Sequence, residues 1–130
     1  MEILLPPGWP RPKGFSHGIA ARGRMVFVAG QLGWDTAGKF PGDDLAAQLK
    51  QTLQNTLAVL QQAGAGPQHV ARMTWYITSR DEYLRQLPRI GEVYREVMGR
   101  HYPAMAVVVV AGLMEPQAKI EIETTAVVPD

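Results

Sequence analysis

The sequence predicts an α+β fold: a mixed β-sheet of about six strands with two helices packed on one face. Two observations carry this. Two long stretches repeat apolar residues every three or four positions, as amphipathic helices do, and six shorter runs have the length and composition of strands. Their order along the chain is β, β, β, α, β, α, β, β, in which each strand–helix–strand unit predicts a right-handed crossover between parallel strands. The 130 residues contain no repeat, linker or low-complexity segment, so one domain spanning residues 1–130 is expected.

Each element has its own signal. Glu2 to Leu5 reads as a short edge strand stopped by Pro6-Pro7. His17 to Ala21 and Arg24 to Gln31 read as two strands, and the Arg22-Gly23 pair between them predicts a two-residue hairpin. Residues 32–42 hold Gly33, Gly38, Pro41 and Gly42 and read as loop. Asp43 and Asp44 offer an N-cap, Leu45, Leu49, Leu53, Leu57 and Leu60 form one stripe, and Gly64 ends the helix. Gln68 to Thr78 reads as a strand. Ser79 or Asp81 opens a second helix with Tyr83, Leu84, Leu87, Ile90, Val93, Tyr94 and Val97 on its apolar face, Pro88 interrupting it and Gly99 closing it. The last strand, AKIEIETTAVV, sends Ile120 and Ile122 one way and Glu121 and Glu123 the other.

The strand before it, Ala104 to Ala111, has no polar side chain at all. Such a strand needs both faces covered. Two helices cover one face of the sheet, so the other face is expected to meet another copy of the chain. A central strand roofed by loops is the alternative.

Composition narrows the chemistry. With no cysteine there is no disulfide, thiolate nucleophile or zinc–thiolate site. Thirteen Lys and Arg against twelve Asp and Glu leave a net charge of +1, which is no footprint for nucleic acid. No stretch approaches the ~20 apolar residues of a membrane span. The apolar N-terminal run is too short for a signal peptide and is broken by prolines, so a soluble, cytoplasmic protein is expected. Ser16 and Ser79 lie in no nucleophile elbow. His17, His69 and His101 lack ligand spacing, so no metal site is expected. Trp34, Trp75 and Tyr76 are candidates for a pocket wall, although strand aromatics are more often core. Glu121 and Glu123 are the carboxylates of interest. At a subunit contact, partial desolvation would raise such a carboxylate's pKa and suit it to hold or activate a water.

Several short motifs, in order, resemble the RidA/YjgF family of reactive-imine deaminases. They are GFSHGI, MVFVAGQ, QTLQNTLAVLQQAGAG, HVARMTWYIT, VYREVMGRHYPAM and KIEIETTAVV, and they cover the chain from about Gly14. The resemblance implies a chorismate-mutase-like fold, a homotrimer packed around a central barrel-like core, and clefts between subunits that take a small molecule. It also implies hydrolysis of imines or enamines to carbonyl compounds and ammonia without metal or cofactor. In active members an arginine after Pro-Ala binds the substrate carboxylate; here that position is Met105, followed by Ala106 and then Val107 in place of a common cysteine. Phe15 stands for a tyrosine, Ala29 for a serine and Gly91 for an asparagine, while Gly30 and Gln31 are retained and Glu121 matches the water-holding glutamate.

These departures imply a more apolar cleft and a substrate unlike 2-aminoacrylate. Arg24, Arg72, Arg100 or His101 could meet an anion, but nothing in the sequence places them at the cleft. Two readings follow. One is an imine or enamine hydrolase with an altered substrate. The other is a non-catalytic trimer that binds a small hydrophobic metabolite or a protein partner.

Overall fold

The C-terminal strand organises the sheet. In the computed structural model, which describes residues 1–130, β6 (Ile120–Val128) pairs antiparallel with both β3 (Arg24–Leu32) and β4 (Val70–Ile77). β5 (Ala104–Val109) pairs parallel with the far side of β4, giving a four-stranded sheet in the order β3-β6-β4-β5. β1 (Glu2–Leu4) and β2 (Gly18–Ala20) form a separate two-stranded antiparallel sheet. The six strands are thus divided four and two, within the expected α+β class.

Period-two alternation then decides which side carries the core. Met73, Trp75 and Ile77 from β4, and Ile120, Ile122 and Ala126 from β6, are buried on one face. They meet Leu45, Leu49, Leu53 and Leu60 of α1 (Leu45–Gln62) and Ile90, Val93, Tyr94 and Met98 of α3 (Leu87–Met98). Each fully buried leucine contributes roughly 1.5–3 kcal/mol. The opposite face carries no helix and leaves Phe27 72 % and Met25 56 % exposed. No helix is long and apolar enough to cross a membrane.

The helix ends follow the sequence signals. Asp44 caps α1 by accepting the Ala47 N–H, and Gly64 takes the positive φ that follows the helix end. Ser79 caps α2 (Arg80–Arg85), and α3 starts after a break at Gln86, with Pro88 in its first turn where a missing N–H costs nothing. The break also has a use. The Gln86 amide accepts the Ala46 N–H at 3.1 Å and donates to Asp44 at 3.0 Å, so it completes the cap of α1. The strand expected from Gln68 begins with a 3-10 turn, Pro67–His69, before β4.

Two expectations are corrected. β2 does not form a hairpin with β3; it pairs with β1. A type I′ turn needs positive φ at both central residues, and no non-glycine residue in the chain has one, so Arg22 cannot supply it. Gly23 instead lets the chain pass the end of β6, where a Cβ would fall 2.1 Å from the Val128 carbonyl oxygen. The all-apolar strand β5 is not a central strand roofed by loops. It is an edge strand with Met105, Val107 and Val109 on the helix side, and Val107, Val108 and Val109 are 37 %, 40 % and 50 % exposed.

One buried amide ties three segments together. Gln48 has no exposed surface; its Nε2 donates to the carbonyls of Gly42 at 2.9 Å and Gln117 at 3.0 Å, and its Oε1 accepts the Lys119 N–H at 2.8 Å. Replacing it with leucine takes the partner from two carbonyls and an N–H and leaves an apolar side chain among them. Gln48→Leu is expected to lose about 3 kcal/mol in urea unfolding, on a scale of roughly 1–3 kcal/mol per orphaned group with partial relaxation; a loss under about 1 kcal/mol would show that water replaces the amide.

Candidate functional site

A cavity of about 800 Å³ opens on the helix side of the β4–β5 edge. That volume lies within the usual range for small-molecule sites. Trp75, Met105 and Val107 come from the strands; Tyr83 comes from α2, and Leu87, Ile90, Gly91, Tyr94 and Arg95 come from α3. Residues 11–15 and Tyr102 complete the wall.

Local hydrogen bonds hold these pieces in place. Ser16 donates its N–H to the Pro103 carbonyl at 3.0 Å and its hydroxyl to the Tyr102 carbonyl at 2.5 Å, which fixes Phe15 beside the start of β5. Tyr94 donates to the His101 carbonyl and stacks on Tyr102 with ring centres 5.7 Å apart. Burial, reinforced by Tyr102, pushes the Tyr94 hydroxyl far above its ordinary pKa, so it stays a neutral donor. The indole N–H of Trp75 is buried without an acceptor.

The charge of the cavity has one sign. Arg11, Lys13 and Arg95 line it, and no acidic residue does. None of the three forms an ion pair, since the chain's ion pairs are Lys50–Glu96 and Lys119–Glu82. Arg95 lies one turn beyond Gly91, and a Cβ on Gly91 would stand 3.2 Å from its Nη1.

A second group lies elsewhere. The β3–β6 register shifts between Val28 and Gln31, and this bulge holds Ala29, Gly30 and Gln31. Glu121 projects beside it: a Cβ on Gly30 would sit 2.2 Å from Glu121 Oε2. Glu121 is on the helix-free face opposite Tyr76, whose hydroxyl donates to Glu123 at 2.5 Å and is raised in pKa by that bond. Glu123 is therefore engaged, while Glu121 has no ion pair and no protein hydrogen bond.

The sequence candidates thus fall into two sets. Phe15, Gly91, Met105 and Val107 share the cavity. Ala29, Gly30, Gln31 and Glu121 cluster at the β3–β6 bulge, and Ala106 faces the helix-free side with Thr74. β6 lies two strand spacings from β5, roughly 10 Å, so one chain does not unite the sets. Of the basic candidates, Arg24 bonds the Ala63 carbonyl at 2.7 Å at the end of α1, and Arg72 lines a shallower depression with Phe27 and Glu123. Arg100 and His101 do not line the cavity. Trp75 does, whereas Trp34 packs on Phe40 and Tyr76 lies on the helix-free face. No group of His, Asp and Glu could hold a metal ion.

Sequence reasoning missed Arg11, Lys13, Arg95 and the tyrosines of the cavity. The available signal was the spacing of Gly91 and Arg95, which places an arginine over a residue with no side chain.

The sequence and the fold match a known family. The sequence profile of the endoribonuclease L-PSP family matches residues 10–128, and the chain belongs to this family, the RidA/YjgF proteins. A RutC family protein of Pyrococcus abyssi is 32 % identical over 127 residues, 96 % of this chain and 95 % of that protein. The human 2-iminobutanoate/2-iminopropanoate deaminase is 28 % identical over 105 residues, 80 % of this chain and 73 % of that protein. The crystal structure of the Rid family protein YyfB of Yersinia pestis superposes with a TM-score of 0.84 at 32 % identity, covering 98 % of both chains.

Gly30 has a checkable task. Gly30→Ala is expected to push the Glu121 carboxylate into another rotamer while the β3–β6 register stays as it is. A crystal structure of the variant with Glu121 unmoved would remove that role from Gly30.

Proposed function

We propose that the protein is a homotrimeric imine or enamine hydrolase whose sites lie between subunits, the cavity of one chain meeting Glu121 and Gly30 of its neighbour. The observation that carries this reading is the division of the candidate residues between two faces of one chain. The exposed apolar surface of β5 and of β3 supports assembly, because soluble single chains seldom leave such surface uncovered. A relative named as an iminobutanoate and iminopropanoate deaminase supports the reaction class.

The chemistry asks little of the protein. Water adds to the C=N carbon, the nitrogen takes a proton, and the carbinolamine expels ammonia to leave a carbonyl. Glu121 takes the proton from the attacking water and can return it to the departing nitrogen. The reaction is redox-neutral and consumes only water. Phe15, Ala29, Met105 and Val107 make the site more apolar than the polar groups they replace, so the substrate is bulkier than 2-aminoacrylate. The three cations line a concavity and do not form a track, which does not suit a nucleic-acid strand.

The second reading is a trimer that binds a hydrophobic metabolite or protein partner without turnover; the missing hydroxyls at Phe15 and Ala29 favour it. Imines generated by an amino-acid oxidase from neutral, aromatic and acidic amino acids separate the two. Faster imine decay that falls about 100-fold in Glu121→Gln is expected, within the ~10²–10⁴-fold range for a general base; no acceleration across the panel leaves the binding trimer. Assembly has its own check. Light scattering should give about three times the 14.3 kDa chain mass, and the mass of one chain would refute the shared site.

A further inference from the structure

We propose that Arg95 is the carboxylate anchor of this cavity and that the cavity selects 2-imino acids with large aromatic or branched side chains. The inference rests on the hydrolase reading for its reaction, but its binding test does not. The position that should carry an anchoring arginine holds Met105, whose thioether cannot pair with an anion. The cavity nevertheless keeps three cations and no acid. Unopposed charge of one sign around a concave, largely apolar wall attracts an anion.

Among the three, Arg95 is the one held by a regular element. It lies in the last turn of α3 with its guanidinium over Gly91, where a Cβ would stand 3.2 Å from Nη1. It makes no hydrogen bond or ion pair of its own. Glu96 beside it is occupied by Lys50 at 2.9 Å, and Glu92, one turn back, does not pair with it. A free planar guanidinium can take a carboxylate through two parallel N–H donors. Arg11 carries the same fork and Lys13 a point charge, but both sit on the N-terminal loop outside any helix or strand and add field to the cavity.

The remaining lining sets the body of the ligand. Phe15, Trp75, Tyr94 and Tyr102 present rings, and Met105 supplies an adaptable thioether. About 800 Å³ is far more than a three-carbon imino acid fills. The reaction would be R–C(=NH)–COO⁻ plus water giving R–C(=O)–COO⁻ plus ammonia: the C=N bond is lost, a C=O bond forms, and the carboxylate stays on Arg95 throughout.

The test uses the stable product as probe. Titration calorimetry on the full chain would compare phenylpyruvate with 1-phenylpropan-2-one, which lacks the carboxylate, and with pyruvate, which lacks the ring. Wild type is expected to prefer phenylpyruvate to either analogue by about 10- to 100-fold, as for a charged bidentate pair and a buried ring. Arg95→Gln should erase the preference over the ketone and keep the preference over pyruvate, with Arg95→Lys restoring part of it. Arg95 is exposed, so an unchanged melting temperature verifies folding of each variant. Equal affinity of wild type for acid and ketone, or an undiminished acid preference in Arg95→Gln, would overturn the anchor. Equal affinity for phenylpyruvate and pyruvate would overturn the size class. If binding follows Arg95 but no imine decays faster, the anchor stands and the hydrolase reading fails; if Glu121-dependent hydrolysis persists without an Arg95-dependent preference, the reverse holds.

Discussion

Ile120 and Ile122 are buried against two helices, while Glu121 between them stands on the opposite face of the same strand. This follows from the two-residue repeat of a strand and cannot be relaxed without moving the whole register. Because β6 sits between β3 and β4, that register fixes both neighbours and, through β4, the edge strand β5. The core therefore forms on one side, and the carboxylate is delivered to the other. The separation of Glu121 from the cavity is a consequence of how the core is built.

The cavity depends on a different set of constraints. α3 lines it because the second helical segment breaks at Gln86, and the freed amide at that break closes the cap of α1. Gln48 then locks α1 to the loop at Gly42 and to the entry of β6. The helix that packs the core and the helix that lines the cavity are thus joined by polar contacts as well as by leucines. On the opposite wall, Ser16 fastens the N-terminal loop to the chain entering β5, so the approach to the cavity is held by two hydrogen bonds.

Much of this was legible in the residues. The leucine stripe of α1, its Asp44 cap, the helix break just before Pro88 and the alternation of β6 each have a local cause, and local causes are readable from sequence. The pairing of β2 with β1 was not, because a three-residue strand gains its partner from tertiary space. The edge position of β5 is not legible for a related reason: an unbroken apolar run reports that burial is wanted, not which molecule supplies it. Gln48, Thr52 and Thr56 are buried in α1 although polar, since Gln48 bonds loops distant in sequence and the threonines bond carbonyls one turn back. Of the candidate residues, Met105 and Phe15 come from the family resemblance, whereas Glu121 is singled out by the alternation of β6 and then matched by the resemblance. Arg95 is not singled out, because the spacing of Gly91 and Arg95 places the two on one helix face but does not show that this face lines a cavity.

The space beside Gly91, taken by the Arg95 guanidinium, links three positions of the chain. A side chain at residue 91 crowds the guanidinium at residue 95, and an arginine at residue 105 would bring a fourth positive charge into a cavity that already lines three. Changes at 91, 95 and 105 are therefore non-additive. An arginine placed at residue 105 of this chain would add repulsion among the lining cations before it added a ligand contact.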